Sequence, residues 1–239
     1  MTKSTGIYTL ADAARLVGTE TRTIRRWVHG YSRLALGSSA DNTAPKKSVP
    51  LWQTQYGSGE KSNIVGFRDL LELRVVNEFV KHGVPLIVVR ECLNSAKKLL
   101  GVDHPFTQSR FATDGKTIYA DLLKNGTEPE LVDLRKKQIV FRDIIKPSLY
   151  DGIEYDSSTR IARRWFPNKG RRIVLDPARS FGKPVLNGSG IPTEALYANY
   201  RAEGADRAAI RLVASIFDID AKEVAAAIQF ETAFAKKAA

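Results

Sequence analysis

Residues 9–30 read TLADAARLVGTETRTIRRWVHG. Apolar residues recur at the spacing of one helical face in each half of this stretch, and Gly18 separates the halves. Thr9 with Asp12 fits a capping box for the first helix, and Gly30 ends the second. The stretch therefore predicts a helix, a tight turn and a second helix. The residues predicted to face inward are Leu10, Ala13, Ala14 and Val17 in the first helix and Ile24, Trp27 and Val28 in the second.

The polar side chains of the second helix fall on its outer side once the apolar positions are assigned to the core. In a helix-turn-helix protein, side chains at these positions meet base edges and phosphates. A hydrated surface helix would show the same composition, so both interpretations stay open on this stretch alone. The candidate DNA-binding residues here are Thr21, Arg22, Thr23, Arg25 and Arg26.

The composition favours a polyanionic partner. The chain has 239 residues, a formal net charge of +11 and a pI near 9.8, so folding works against self-repulsion unless a partner neutralises it. No apolar run of about eighteen residues occurs, and the N-terminus has no apolar signal core, which predicts a cytoplasmic protein. The single cysteine, Cys92, lies on a helical pattern and is interpreted as a small core residue.

The segment after the second helix predicts a wing. Residues 32–49, SRLALGSSADNTAPKKSV, show no period and are expected to form a loop. Residues 50–67, PLWQTQYGSGEKSNIVGF, predict a hairpin with a GSG turn, and Lys61 near its tip is a further candidate DNA-binding residue. Two amphipathic helices follow, and Pro85 is well placed to open the second.

The order of these pieces resembles the winged helix-turn-helix of MerR-type regulators. The matching stretches are YTLADAARLVG (8–18), TRTIRRWVHGY (21–31) and FRDLLELRVVNEFVKHGVPLIVVREC (67–92), so the resemblance covers about the first hundred residues. It implies a DNA-binding domain. The chain departs from the family in its longer wing region and in lacking the long dimerising coiled coil, because Gly101 and Pro105 end the last helix.

The pattern from residue 106 to about residue 170 is weakly β-like. RFATDGKTIYADLL (110–123) and KKQIVFRDIIKPSLYDGIEYD (136–156) alternate loosely around DG and NG turns, which predicts a small sheet. A basic run then surrounds Trp165 and Phe166. In one interpretation the cations of this run bind successive phosphates while the two aromatic rings pack or stack between them. In the other, the run is a solvated connector. The run consists of Arg160, Arg163, Arg164, Lys169, Arg171, Arg172 and Arg179.

The last segment predicts three helices behind a set of short spaced motifs. IVLDP (173–177), FGKPVL (181–186), GSGIPT (188–193) and AAIQFE (226–231) together resemble the domain of unknown function found in VapB-like antitoxins. The family's Thr-Arg before Ile-Pro is Ser-Gly here. The expected fold class is mainly α (α+β). The domains are predicted as a MerR-like winged helix-turn-helix at 1–105, a β-rich connecting region at 106–170 and a three-helix antitoxin-type domain at 171–239.

Catalysis is not predicted. The three histidines are isolated, a single cysteine leaves no ligand set for zinc, and no nucleophile or nucleotide-binding motif occurs. Glu154 and Asp156 could suggest a metal-dependent nuclease, but they lie between turn residues and are interpreted as solvated carboxylates. We expect no catalytic residue, no cofactor and no metal.

The resemblances together imply the antitoxin of a type II toxin–antitoxin pair. Such a protein represses the shared operon and silences a toxin of the PIN-domain ribonuclease type. We expect a homodimer on an inverted-repeat operator in double-stranded DNA, with no membrane partner. The DNA surface is predicted within residues 1–67 and the toxin surface within 171–239, where Tyr197 and Tyr200 are candidate anchors. The alternative is a transcription regulator or excisionase-like architectural protein without a toxin.

Overall fold

The protein has a mixed α+β fold in which helices predominate, as the sequence predicts. Seven α-helices and eight short strands occur in the part of the chain described by the computed structural model. That part comprises residues 6–33, 46–57, 62–108, 150 and 152–236.

The first two helices form the predicted helix-turn-helix. Helices α1 (Leu10–Val17) and α2 (Thr21–His29) pack against each other. Thr9 Oγ1 accepts a hydrogen bond from the Asp12 amide at 3.0 Å, so the predicted cap of α1 is confirmed. Gly18, with φ of 81°, makes the left-handed turn that a side chain would strain. Glu20 precedes α2 but makes no side-chain capping bond, so packing positions this helix.

The predicted hairpin over residues 50–67 is wrong. Residues 51–57 contain no strand, and β4 (Ile64–Val65) pairs antiparallel with β1 (Tyr8–Thr9) instead. The hairpin next to α2 lies in the segment predicted as a loop, where β2 (Tyr31–Arg33) pairs antiparallel with β3 (Lys46–Ser48). Lys61, predicted at the hairpin tip, lies outside the described residues.

A glycine at the end of α2 explains where this hairpin starts. Gly30 has φ of 74°, and a Cβ on it would lie 2.1 Å from the Ser48 carbonyl oxygen. Only a glycine therefore lets the returning strand approach the end of the helix so closely. The sequence gives no periodic signal for this hairpin, because β2 and β3 have only three residues each.

Two long helices complete the N-terminal half. Helix α3 (Phe67–Lys81) and helix α4 (Leu86–Leu100) follow the predicted pattern, and Pro85 directly precedes α4. Cys92 is fully buried on α4, which confirms its interpretation as a core residue.

A buried aspartate fastens the irregular segment before α3. Asp69 is fully buried and accepts hydrogen bonds from both sides of its carboxylate. Because a buried charge is tolerated only when it is well solvated by donors, these bonds hold the surrounding chain in place. The donors are Trp52 Nε1 at 2.8 Å, the Gln55 amide at 2.9 Å and the Gly66 amide at 2.8 Å, and His104 Nε2 lies 2.9 Å away.

The C-terminal half consists of an antiparallel sheet followed by the three predicted helices. The sheet has four strands, which neighbour one another in the order in which they occur along the chain. Its strands lie on both sides of residue 170, where the sequence places a domain boundary, and the three-domain division stays a prediction. The predicted strands within 110–148 lie outside the described residues. The elements are β5 (Ile153–Tyr155), β6 (Ala162–Trp165), β7 (Ile173–Leu175), β8 (Pro184–Leu186), α5 (Thr193–Ala202), α6 (Arg207–Phe217) and α7 (Ala221–Lys236).

The two halves share a core. Trp165 and Leu175 of the sheet belong to the same cluster of buried residues as α1, α3 and α4, and Phe234 of α7 packs against it. Tyr8 donates a hydrogen bond through its hydroxyl to the Gly182 carbonyl at 2.7 Å, and that hydroxyl is buried. A second, smaller cluster lies among α5, α6 and α7. The C-terminal half therefore packs against the helix-turn-helix and stabilises it.

Candidate nucleic-acid interface

The outer face of α2 carries the side chains that the sequence assigns to DNA binding. Ile24, Trp27 and Val28 are buried, which turns the remaining positions outward. Thr23 is half-buried. The exposed residues of this face are Thr21, Arg22, Arg25 and Arg26. The structure thus brings five of the six predicted DNA-binding residues together on one helix.

Two of these arginines have a local contact. Arg25 donates a hydrogen bond to Asn63 Oδ1 at 2.9 Å, and the guanidinium of Arg26 lies 4.5 Å from the centroid of the Tyr31 ring. Both contacts are at the surface, where hydrogen bonds and cation–π pairs are weak and easily exchanged. They orient the guanidiniums without neutralising them, so the positive charge of α2 stays available to an anion.

The segment just before α3 lies beside α2. His29 Nε2 lies 2.8 Å from the Ser62 carbonyl oxygen, and Asn63 contacts Arg25 as described. Sequence reasoning missed Asn63 and Tyr31 as neighbours of the arginines, since neither contact has a periodic signal. The hairpin β2–β3 also neighbours α2, since the Arg26 guanidinium lies over the Tyr31 ring.

One acidic residue, Glu154, pairs with two cations of the basic run in the C-terminal half. Glu154 binds Arg164 at 2.6 Å and Arg171 at 3.2 Å, and both guanidiniums lie over the ring of Phe166. Trp165 is buried, as is Phe166, so neither ring is placed to stack on a base. The exposed cations that make no side-chain hydrogen bond or ion pair within the described residues are Arg160, Arg163, Lys169 and Arg172.

The acidic pair considered for a nuclease site is tied up locally. The Asp156 carboxylate accepts hydrogen bonds from the hydroxyls and amides of Ser158 and Thr159, and these bonds hold the pKa of Asp156 below its ordinary value. Glu154 is paired with the two arginines above. The Asp156 carboxylate therefore stabilises a turn, and the Glu154 carboxylate stabilises its strand and the neighbouring arginines. No group of three or more potential metal ligands occurs among the described residues.

The candidate partner-binding tyrosines lie on α5. The rings of Tyr197 and Tyr200 are 6.4 Å apart, and both side chains are half-buried. The Tyr200 hydroxyl donates to the Ala205 carbonyl at 2.5 Å, and its ring packs against the small C-terminal cluster. Tyr200 thus has a packing role in its own unit, and Tyr197 is the more available of the two.

The described part of the chain is an α+β fold in which helices predominate, with a helix-turn-helix near its N-terminal end. The chain is 29% identical over 194 residues to a Mycobacterium tuberculosis strain H37Rv protein named "Putative antitoxin VapB45". The aligned region covers 77% of this chain and 78% of that protein. The crystal structure of Rv2018 from Mycobacterium tuberculosis matches with a TM-score of 0.65 and 24% identity, over 92% of this chain and 96% of that one. The two chains therefore share a fold. No family model matches the chain.

Within the described ranges, no helix is both long enough and apolar enough to cross a membrane.

Proposed function

We infer that this chain is the antitoxin of a type II toxin–antitoxin pair. In this proposal the N-terminal half binds operator DNA as a homodimer and represses its own operon. The C-terminal half binds and silences a toxin of the PIN-domain ribonuclease type. The similarity over most of the chain to a protein named as an antitoxin supports the role as a whole.

The observation that carries the DNA-binding part is the outward face of α2. Its arginines project from a helix whose apolar residues are buried in the core. Arg25 and Arg26 contact only the neutral side chains of Asn63 and Tyr31, so no acid among the described residues neutralises their charge. Arginine can bond guanine bidentately and also pair with phosphate. A net charge of +11 adds a long-range attraction for the DNA backbone.

The charge of the C-terminal helices supports a protein partner for that half. Residues 193–236 contain seven acidic and five basic residues, although the whole chain carries +11. A surface with this balance is poorly suited to a phosphate backbone. Half-buried Tyr197 offers an aromatic side chain of the kind that anchors protein interfaces.

A regulator without a toxin is the second candidate. The observation in its favour is that α7 packs against the core behind α1, and that the Tyr200 hydroxyl is bonded within its own unit. In that case the C-terminal helices serve to stabilise the DNA-binding half or to join two copies. An adjacent reading frame for a small protein with spaced acidic residues favours the antitoxin, and its absence favours the regulator.

The test uses the full chain with the product of the adjacent reading frame. We expect the two proteins to copurify, the ribonuclease activity of the partner to be inhibited, and the promoter DNA to be shifted in a gel. Tyr197→Ala should weaken inhibition and leave DNA binding unchanged, whereas Arg25→Ala/Arg26→Ala should do the reverse. Failure of the partner to bind the wild-type chain would exclude the antitoxin role.

A further inference from the structure

An apolar groove lies beside α2, between the β2–β3 hairpin and the junction of α3 with α4. Its volume is about 640 Å³, within the usual range for ligand sites. Trp27 contributes from α2, Tyr31 from β2 of the hairpin, and Val84 lies at the α3–α4 junction. The groove is thus made by three separate parts of the N-terminal half.

Exposed apolar side chains are concentrated in this groove. Among the described residues, nine large apolar side chains are exposed, and four of them line it. Isolated exposed apolar residues are ordinary, but a contiguous group indicates a surface that is covered in function. The four are Tyr31 (40% exposed), Val49 (58%), Val80 (38%) and Ile87 (44%).

The groove carries positive charge, and Glu91, the acid that acts on Arg90, is not among its described lining residues. Arg26 and Arg90 line it, and none of the described lining residues is acidic. Arg90 donates to the carbonyl oxygens of Pro50 at 2.6 Å and Val49 at 2.8 Å, which fixes its guanidinium and leaves further N–H donors available. Burial lowers the pKa of Arg90, so an anion that pairs with this cation offsets its lost hydration.

We propose that this groove binds a small amphiphilic anion, a molecule with one carboxylate or sulfonate on an apolar body. The apolar body covers Val49, Val80 and Ile87, and the anionic group pairs with the two guanidiniums. A DNA phosphate meets only half of this chemistry, because it has no apolar body to cover the aliphatic side chains.

Arg26 connects the groove to the outer face of α2. An anion paired with Arg26 in the groove holds its guanidinium there and so prevents the same group from contacting DNA. Ligand and operator are thus expected to compete. This consequence rests on the proposed DNA-binding function, whereas binding of the anion does not.

Ligand binding is tested on the full chain without DNA. The probe is 8-anilinonaphthalene-1-sulfonate, an aromatic sulfonate whose fluorescence rises in an apolar site. We expect saturable binding of one probe per chain and displacement by octanoate, but not by the same concentration of 1-octanol, which lacks the charge.

A matched pair of variants locates the site. Ile87→Asp introduces a carboxylate into the groove and should weaken probe binding at least tenfold. The first turn of α4 favours an acidic residue, so the fold is retained, which thermal melting followed by circular dichroism verifies. Leu212→Asp changes a side chain of similar exposure (46%) on α6 and should leave binding unchanged. Arg26→Gln should weaken binding severalfold while keeping the apolar walls.

Four results would overturn the proposal. They are the absence of saturable probe binding, equal binding by the wild type and Ile87→Asp, equal loss in Leu212→Asp, and displacement by octanol as effective as by octanoate. If Ile87→Asp weakened operator binding and left probe binding intact, the groove would belong to the DNA surface instead.

Discussion

The guanidinium of Arg15 on α1 lies over the ring of Phe234 on α7, 4.8 Å from its centroid. Phe234 in turn stacks on Phe230, with ring centroids 5.7 Å apart. The first helix of the helix-turn-helix is thus in direct contact with the last helix of the chain. A fragment that ends near residue 170 would lose this contact and the strands β7 and β8, so full-length variants are the better test of the two roles.

Phe234→Ala should destabilise the whole chain. The substitution removes the ring from Arg15 and Phe230 and opens the shared core, with an expected cost of about 1–3 kcal/mol for a partly buried aromatic side chain. Urea unfolding followed by circular dichroism should show a lower midpoint and a single transition. Phe181→Ala, at a side chain that is 70% exposed, is the control and should shift the midpoint little. A midpoint unchanged in Phe234→Ala would contradict the contact.

Arg25→Ala/Arg26→Ala should reduce operator affinity at least about tenfold, since each bidentate base contact contributes about 1–3 kcal/mol of discrimination. Both side chains are exposed, so the melting temperature should change little. The measurement is fluorescence anisotropy with promoter DNA. Arg207→Ala/Arg211→Ala removes two exposed arginines from α6 and serves as the control. Equal affinities of the two double mutants would remove α2 from the DNA surface.

The protein should bind an inverted repeat as a dimer. One recognition helix reads only a few base pairs, and half-sites about 34 Å apart let two helices enter successive major grooves. Footprinting should show two protected half-sites, and affinity should fall steeply with salt because phosphate contacts release counterions. Protection of one asymmetric half-site by a monomer at micromolar concentration would argue against the dimer.

Glu72→Gln should stabilise the protein at neutral and higher pH. Glu72 is fully buried, and burial raises its pKa well above the ordinary value of 4.5. Above that value the unfolded chain ionises while the folded chain keeps its proton, so the wild type loses stability as pH rises. Glutamine can still accept the Phe106 amide bond that Glu72 Oε1 accepts at 3.0 Å.

Melting temperatures from pH 4.5 to pH 8 test this sign. The advantage of Glu72→Gln over the wild type should grow with pH and shrink toward pH 4.5. Glu203→Gln, at an exposed position after α5, should show no such trend. An advantage that grew toward low pH would mean that Glu72 is ionised in the folded protein.

Gly30→Ala should displace the β2–β3 hairpin and destabilise the fold by more than the backbone strain alone, which is about 1–3 kcal/mol at φ of 74° and ψ of −170°. Its Cβ would overlap the Ser48 carbonyl oxygen. Gly57→Ala is the matched control, since Gly57 also has positive φ, of 85°, and its Cβ would meet no atom within 4 Å. Equal losses in urea unfolding would show that the close approach at Gly30 contributes nothing.

Local periodicity and capping residues were sufficient to predict the helices. The spacing of Leu10, Ala13, Ile24 and Trp27 predicted two helices with their inward faces, and Gly18 marked the turn. Assigning those apolar residues to the core was sufficient to place the arginines of α2 outside. The same reasoning located Pro85 before α4 and the three C-terminal helices.

Which distant segments of the chain contact each other depends on how the whole chain packs. The hairpin beside α2 depends on the close approach of Gly30 to Ser48, and the pairing of β1 with β4 joins residues more than fifty positions apart. Strands of two or three residues have no measurable period, so pattern reasoning placed the hairpin in the wrong segment. The contacts of Arg15 with Phe234 and of Tyr8 with Gly182 likewise form only when the chain packs. The inward face of a helix can be predicted from the spacing of apolar residues that are close in sequence, whereas such contacts depend on the shape of the whole core.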